Sequence, residues 1–239
     1  MDLLVKISVR LSTRRRPMQG RSPALACAML PRPAKSLLNS LHHRAVFRRR
    51  VEVLAGLLAG TIPSGGLVLD LGSGDGRIAA RLVELRPDLE VEGVDVLVRP
   101  VTRIPVRPYD GTTLPFADMS FDYVTIVDVL HHTDDPAAVL REARRVARRG
   151  IVVKDHLREG VLAGPTLRLM DWVGNRGHDV RLPYNYLGRA GWAEALDKAG
   201  LVVADRRERL GLYPAPLDWI FGRSLHFLAL LEPAKPASG

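Results

Sequence analysis

Apolar positions recur along this chain in two alternating periods. Residues 36–59 repeat at helical spacing, with Val46, Val53, Leu54, Leu57 and Leu58 close to one face and Arg48, Arg49 and Arg50 pointing largely elsewhere. A turn cluster at 61–66, Thr-Ile-Pro-Ser-Gly-Gly, stops that helix. The apolar run 67–71 has strand length and leads straight into glycines. A helix follows over 77–86, with Ile78, Ala79, Leu82 and Val83 inward and Pro87 past its end. Strands are expected at 91–95, at 104–106 and at 121–129, the last β-branched and of flat polarity, as a central strand should be. Asp135-Pro136 starts the next helix well, because Asp accepts from free N–H groups and proline at the first position has no N–H to lose. Val139, Leu140, Ala143, Val146 and Ala147 make its inward face. Runs at 151–153, at 201–203 after a helix closing at Gly200, and at 225–231 complete the strands.

Strands that alternate with helices and have apolar interiors predict an α/β fold, an open, mostly parallel sheet with helices on both faces. Each parallel crossover is right-handed by rule. The segment 157–187 breaks the rhythm, carrying Gly, Pro, Trp and Tyr where a short loop would suffice. It is expected to be a lid inserted over the carboxyl edge of the sheet, where ligands bind in this class.

Composition narrows the field. With 239 residues, 46% hydrophobic and 26% charged, the chain suits one globular domain with a full core. Aromatics are only 5%, so that core is Leu, Val and Ala. A single cysteine, Cys27, excludes an internal disulfide and a Cys-based zinc cluster, and no metal site is expected. No apolar run reaches the ~18 residues of a membrane span. The net charge of +9 is confined: residues 1–60 hold 12 bases and 2 acids, leaving 23 bases against 24 acids in the rest. A basic groove across the fold is therefore not implied, and nucleic acid is not the expected partner.

Residues 1–35 are read as a basic, disordered arm, or an over-long start with initiation at Met18 or Met29; residues 36–239 form the folded domain. The run Ser12-Thr13-Arg14-Arg15-Arg16 invites comparison with an export signal, but Arg21 and Pro23 interrupt the apolar stretch such a signal needs. A transit peptide fits the composition alone. The expected location is cytoplasmic; peripheral membrane contact and oligomeric state stay open.

Candidate chemistry begins at Gly72, Gly74 and Gly76, between a strand and a helix, where glycine lets the backbone turn tightly and a ligand touch main-chain atoms. The spacing G-x-G-x-G differs from the dinucleotide pattern, which wants glycine at Arg77, and no G-x-x-x-x-G-K phosphate loop exists. That favours a nucleoside ligand without phosphates. Asp95 closes the second strand, where a carboxylate can accept from both ribose hydroxyls. Asp110-Gly111 lies near the next strand end, suited to an adenine amino group. Asp70 ends the first strand and can hold the ligand's amino-acid end or order the loop.

The segments VLDLGSGDGRIA at 68–79, VEGVD at 91–95, DGTTLPF at 110–116, SFDYV at 120–124, VLHH at 129–132 and LREARRV at 140–146 occur in the order of the class I S-adenosylmethionine-dependent methyltransferases. The chain resembles that family over roughly residues 45–155, and within it the subgroup of ubiquinone/menaquinone C-methyltransferases. The resemblance implies a Rossmann-like seven-stranded sheet with a C-terminal antiparallel strand, and S-adenosyl-L-methionine as cofactor. It places that cofactor on Asp70, Gly72, Ser73, Gly74, Gly76, Asp95, Val96, Asp110, Gly111 and Asp128, with the glycines at the methionine moiety and Asp128 beside the methyl-donor pocket. One departure is visible. Only residues 96–103, Pro100 among them, separate Asp95 from the next strand, too few for the usual helical crossover, and Pro105 is tolerable only in an edge strand.

Methyl transfer from a sulfonium needs positioning and dryness, and a base only where the acceptor must lose a proton. Candidates for that base are His131, His132, Asp155, His156, Asp171, His178, Tyr184 and Tyr186; His131, Asp155 and His156 are singled out as catalytic. The acceptor is expected to be a small organic or lipid-like molecule. An RNA or protein methyltransferase guided by the basic arm, and a non-catalytic S-adenosylmethionine-binding subunit, are the alternatives. The arginines at 141, 144, 145, 148 and 149 are expected to form a solvated helix face.

Overall fold

The computed structural model describes residues 32–174, 185–215, 217–222 and 224–234. The chain divides into a short unit, Met1–Ser40, and a main unit, Leu41–Gly239. The elements are α1 (Arg32–Thr61), β1 (Gly66–Leu71), α2 (Arg77–Leu85), β2 (Leu89–Asp95), β3 (Val106–Pro108), β4 (Phe121–Val127), α3 (Pro136–Val146), β5 (Ala147–His156), α4 (Ala163–Gly174), α5 (Arg189–Ala199), β6 (Leu201–Arg207) and β7 (His226–Pro233). They build a seven-stranded sheet in the order β3-β2-β1-β4-β5-β7-β6. The first five strands are parallel, and β7 runs antiparallel to both β5 and β6. This is the Rossmann-like architecture the sequence resemblance implies.

Side-chain alternation along the strands feeds two cores. On one face Leu69, Leu71, Val124 and Ile126 meet Leu140, Ala143 and Val146 of α3 and Trp192 of α5. On the other, Val68, Val91 and Tyr123 meet Leu54 and Leu58 of α1 and Ala79 and Leu82 of α2. Each fully buried leucine contributes about 2 kcal/mol. Among the described residues no helix is long and apolar enough to cross a membrane.

Several boundaries differ from expectation. The first helix runs to Thr61 and begins at Arg32 rather than residue 36. Ala147 leaves α3 with extended backbone (φ −84, ψ 132) and opens β5, so Arg148 and Arg149 lie on a strand, where they pair with Asp122. Arg145 is likewise no solvated side chain. Its guanidinium donates to Glu142, Asp118 and the carbonyls of Leu114 and Phe116, clamping the loop before β4 to α3. Strand β3 starts after Pro105, whose carbonyl accepts from Gly93 N (2.8 Å), and it occupies the sheet edge, where Pro108 costs no ladder bond. As the short spacing requires, no helix forms between β2 and β3. Asp135 caps α3 as expected, its side chain accepting from Ala138 N at 3.1 Å.

Candidate active site

The carboxyl ends of β1, β2, β4 and β5 carry the chemistry. After β1 the backbone turns through Gly72 (φ 76), Gly74 (φ 59) and Gly76 (φ 72), all in the left-handed region that favours glycine. They are not equivalent. A Cβ on Gly72 would overlap Val129, and one on Gly76 would come within 2.7 Å of Ile104 Cγ1, so both glycines serve internal packing. At Gly74 a Cβ would meet nothing within 4 Å. This is the glycine that faces open space. Ser73 Oγ beside it is shielded from solvent and makes no hydrogen bond among the described residues.

Asp95 reaches across to this turn. Its Oδ2 accepts from Gly74 N (2.8 Å) and its Oδ1 from Leu97 N (2.9 Å). Each oxygen keeps a second lone pair, so the carboxylate both holds the loop and remains able to accept from a diol. Asp70 is buried at the end of β1, with Oδ1 accepting from Thr125 Oγ1 at 2.7 Å. Burial pushes its carboxyl up to about 6, the Thr125 bond opposing and the Asp95 charge adding. Asp110 is exposed and folded onto its own turn, Oδ1 accepting from Thr112 N and Thr113 N (2.8 Å each), bonds that lower its pKa. Gly111 (φ 85) brings that turn against Val96, itself largely exposed. The sequence-selected cofactor residues thus fall in three places: Asp70 to Asp95 around the glycine turn, Val96 with Asp110 and Gly111 on the open edge, and Asp128 deeper in.

Asp128 sits just past β4 with φ 56, and its N donates to Lys154 O at 2.8 Å. Its carboxylate is gripped by Arg50 of α1 and by Lys154 of β5. Burial alone would raise its pKa, but Lys154 and Arg50 outweigh that and hold it well below the usual carboxylate range. Lys154 is fully buried, which lowers its own pKa against the pull of Asp128. Its Nζ also lies 3.3 Å from His226 Nδ1. Burial and Lys154 drive His226 well below its ordinary value, so the neutral ring accepts from Lys154 and donates from Nε2 to Phe221 O (3.0 Å).

Beyond Asp128 three of the predicted catalytic residues come together. Asp155 Oδ2 accepts from Leu130 N (2.9 Å), and Oδ1 accepts from His156 N (2.6 Å) and lies 2.6 Å from His131 Nδ1. His131 Nδ1 and His156 Nδ1 are 3.2 Å apart. Burial raises the Asp155 pKa less than the neighbouring His131 and His156 lower it, so the group is an anion. Burial lowers His156, the Asp155 bond opposing. Tyr186 closes the cluster, its ring 5.6 Å from His131 and 5.7 Å from His156. The His132 ring lies tilted against His131, with centroids 4.0 Å apart. His178 and Tyr184, the side chain of Asp171, and residues 175–184 of the expected lid lie outside what the structure describes.

Sequence reasoning missed Arg50, Thr125 and His226. Arg50, which the helical spacing points largely away from the apolar face, turns onto Asp128. His226 becomes visible only through register, since β7 pairs it with His156.

Residues 69–153 match the methyltransferase domain family. A 27-O-demethylrifamycin SV methyltransferase of Amycolatopsis mediterranei is 33% identical over 132 residues, covering 46% of this chain and 48% of that protein. A demethylmenaquinone methyltransferase of Roseiflexus sp. is 39% identical over 101 residues, covering 38% of this chain and 42% of that protein. The chain thus spans about half the length of these curated relatives or less. A solved protein of Pyrococcus horikoshii superposes with a TM-score of 0.57 at 23% identity, over 78% of this chain and 91% of that one, a likeness of fold. The family match at residues 69–153 thus falls inside the stretch, residues 45–155, over which the motifs resemble the class I S-adenosylmethionine-dependent methyltransferases.

Proposed function

We propose that this methyltransferase-domain chain transfers a methyl group from S-adenosyl-L-methionine to a small organic or lipid-like acceptor. One observation carries the reading: an open glycine turn faced by Asp95 lies on the same sheet edge as a buried carboxylate–histidine cluster. The residues fit the cofactor. Gly74 leaves room where a side chain would intrude, Ser73 Oγ awaits a partner, and Asp95 has lone pairs for ribose hydroxyls. Asp70 suits the donor's ammonium group, and Val96 with the Asp110–Gly111 turn borders the adenine end. When bound, the cofactor supplies an activated methyl group, and the protein supplies alignment and exclusion of water.

Asp128 turns the chain at the end of β4 between donor and cluster, its charge offset by Arg50 and Lys154. Beyond it, Asp155 fixes the His131 and His156 rings. This group serves the deprotonation of an acceptor hydroxyl or activated carbon, with Tyr186 screening it from solvent. The segment 157–187, including α4, is assigned to the acceptor side as a lid, and the cytoplasm is the proposed compartment.

The test is transfer of labelled methyl from S-adenosylmethionine into fractions of a cell extract and a panel of phenols, enols and hydroquinones. Label in the organic-soluble fraction supports the proposal. Label confined to RNA or protein, and lost when residues 1–35 are deleted, would replace it with the macromolecular alternative.

A further inference from the structure

The segments that leave β5 and enter β7 meet at the carboxyl edge of the sheet. Strand β7 is antiparallel to β5 and pairs His226 with His156, so residues 157–162 and 217–225 stand at the same edge. Leu157 N donates to Leu225 O at 2.9 Å and ties the two segments together. Behind them Ala163 and Leu167 of α4 pack with Tyr186 and Leu225 in a small core of their own. Tyr186 in turn lies against His131 and His156, and Phe221 O accepts from His226 Nε2. The two segments are therefore a wall whose inner side is the carboxylate–histidine cluster.

The outer side of that wall is apolar. Val161 is 84% exposed, Leu162 64%, Trp219 78% and Ile220 54%. Leu162 also has left-handed backbone (φ 62), which residues other than Gly, Asn and Asp seldom adopt. A strained leucine that stays mostly in solvent is not explained by packing within this chain. A contiguous exposed apolar patch marks a surface that docks.

Shape and charge identify what it docks on. Side chains this exposed protrude from turns, and a fluid bilayer receives protruding tips without a shaped pocket. Exposed Arg158 runs beside Gly164 at the start of α4, and exposed Arg209 lies just past the carboxyl end of β6; neither forms an ion pair among the described residues. The nearby acids are committed elsewhere. Glu159 accepts from Arg189 N, Glu208 holds the Arg189 guanidinium, and Asp218 Oδ1 is shielded from solvent. Unpaired arginines beside aliphatic tips and a tryptophan suit a lipid headgroup boundary, where the ring and the aliphatics enter and the guanidiniums meet phosphates.

We propose that residues 160–169 and 217–222 form one surface that docks peripherally on an anionic phospholipid bilayer, inserting Val161, Leu162, Trp219 and Ile220. Docking in this way turns the carboxylate–histidine cluster toward the bilayer, so an acceptor dissolved in lipid reaches it without crossing bulk water. That consequence rests on the methyl-transfer reading; the docking surface does not.

The experiment mixes the full-length chain, at about 0.1 M salt, with vesicles of phosphatidylcholine alone or with about one-third phosphatidylglycerol. Binding is read by co-sedimentation, and insertion by tryptophan quenching with bromine-labelled lipid. The wild type should bind the anionic vesicles and be quenched; Trp219→Phe should still bind but lose most of the quenching. The triple variant Leu162→Ser/Trp219→Ser/Ile220→Ser should bind about tenfold more weakly or worse, and Arg158→Gln/Arg209→Gln should lose the preference for anionic lipid. A folded wild type that ignores vesicles, binds phosphatidylcholine alone as tightly, or is quenched no less as Trp219→Phe overturns the proposal. A folded triple variant that binds as well as wild type also overturns it and assigns binding to basic residues 1–35. If the triple variant does not fold, the Trp219→Phe comparison decides. Dimerisation that the triple variant loses, with no vesicle binding by the wild type, would give the surface to a second copy instead. Vesicle binding without S-adenosylhomocysteine binding would remove the methyl-transfer reading and leave the docking surface standing.

Discussion

Asp70→Asn should make this protein more stable and less able to hold its ligand. The carboxyl is 6% exposed, and burial lifts its pKa from 3.8 to about 6. A raised carboxyl pKa means the folded state binds the proton more tightly than the unfolded state. Below about pH 4 both states are protonated and folding carries no penalty. Between pH 4 and 6 the unfolded chain releases its proton first, so stability falls as pH rises; above pH 6 the full penalty, about 3 kcal/mol, is present. Asparagine never ionises, and its Oδ1 can still accept from Thr125 Oγ1. Urea denaturation at pH 8 and pH 4.5 measures the difference. The variant should be more stable than wild type by about 1–3 kcal/mol at pH 8, and that advantage should shrink by about 2 kcal/mol at pH 4.5. In calorimetry the same variant should bind S-adenosylhomocysteine more weakly, because the carboxylate proposed to hold the ligand's ammonium group is gone. A stability difference that stays flat with pH, or a variant less stable than wild type at pH 8, would refute the reasoning.

The glycines of the turn should separate structure from binding. Gly72→Ala meets both a positive φ and Val129, and should lower stability by about 2–4 kcal/mol in urea denaturation. Gly74→Ala has a positive φ but open space, and should cost about 1–2 kcal/mol while abolishing measurable S-adenosylhomocysteine binding. Lys154→Met leaves Asp128 buried with Arg50 alone and should destabilise by about 3–5 kcal/mol, part of which Asp128→Asn restores in the double variant.

Much of the fold was legible because strand and helix periods alternate cleanly and because punctuation is strong. Asp135-Pro136 and Gly200 mark helix ends where the structure has them, with Gly200 left-handed at φ 64. The misplaced boundary at Ala147 shows the limit. Its alanine and the arginines after it continue a helical pattern, and only pairing with Phe121 makes them strand. The glycine turn was readable for a related reason: Gly72, Gly74 and Gly76 alternate within one short stretch of chain, and a turn is a local object. The carboxylate–histidine cluster is not local. Asp155 and His156 adjoin in sequence, but His131 joins them through the strand pairing of β4 and β5, and His226 through the antiparallel partnering of β7. Arg50 reaches Asp128 from 78 residues away. No spacing rule in one sequence encodes such distances.

The central claim is that the turn at Gly72–Gly76 with Asp95 holds an adenosine-bearing methyl donor. Calorimetric titration of S-adenosylhomocysteine into the wild-type chain and Asp95→Ala tests it most directly. Asp95 both braces Gly74 N and offers lone pairs to the ribose, so one-site binding in the wild type should be lost in a variant that circular dichroism shows to be folded. A folded wild-type chain that does not bind, or an Asp95→Ala variant that binds as tightly as wild type, would contradict the account.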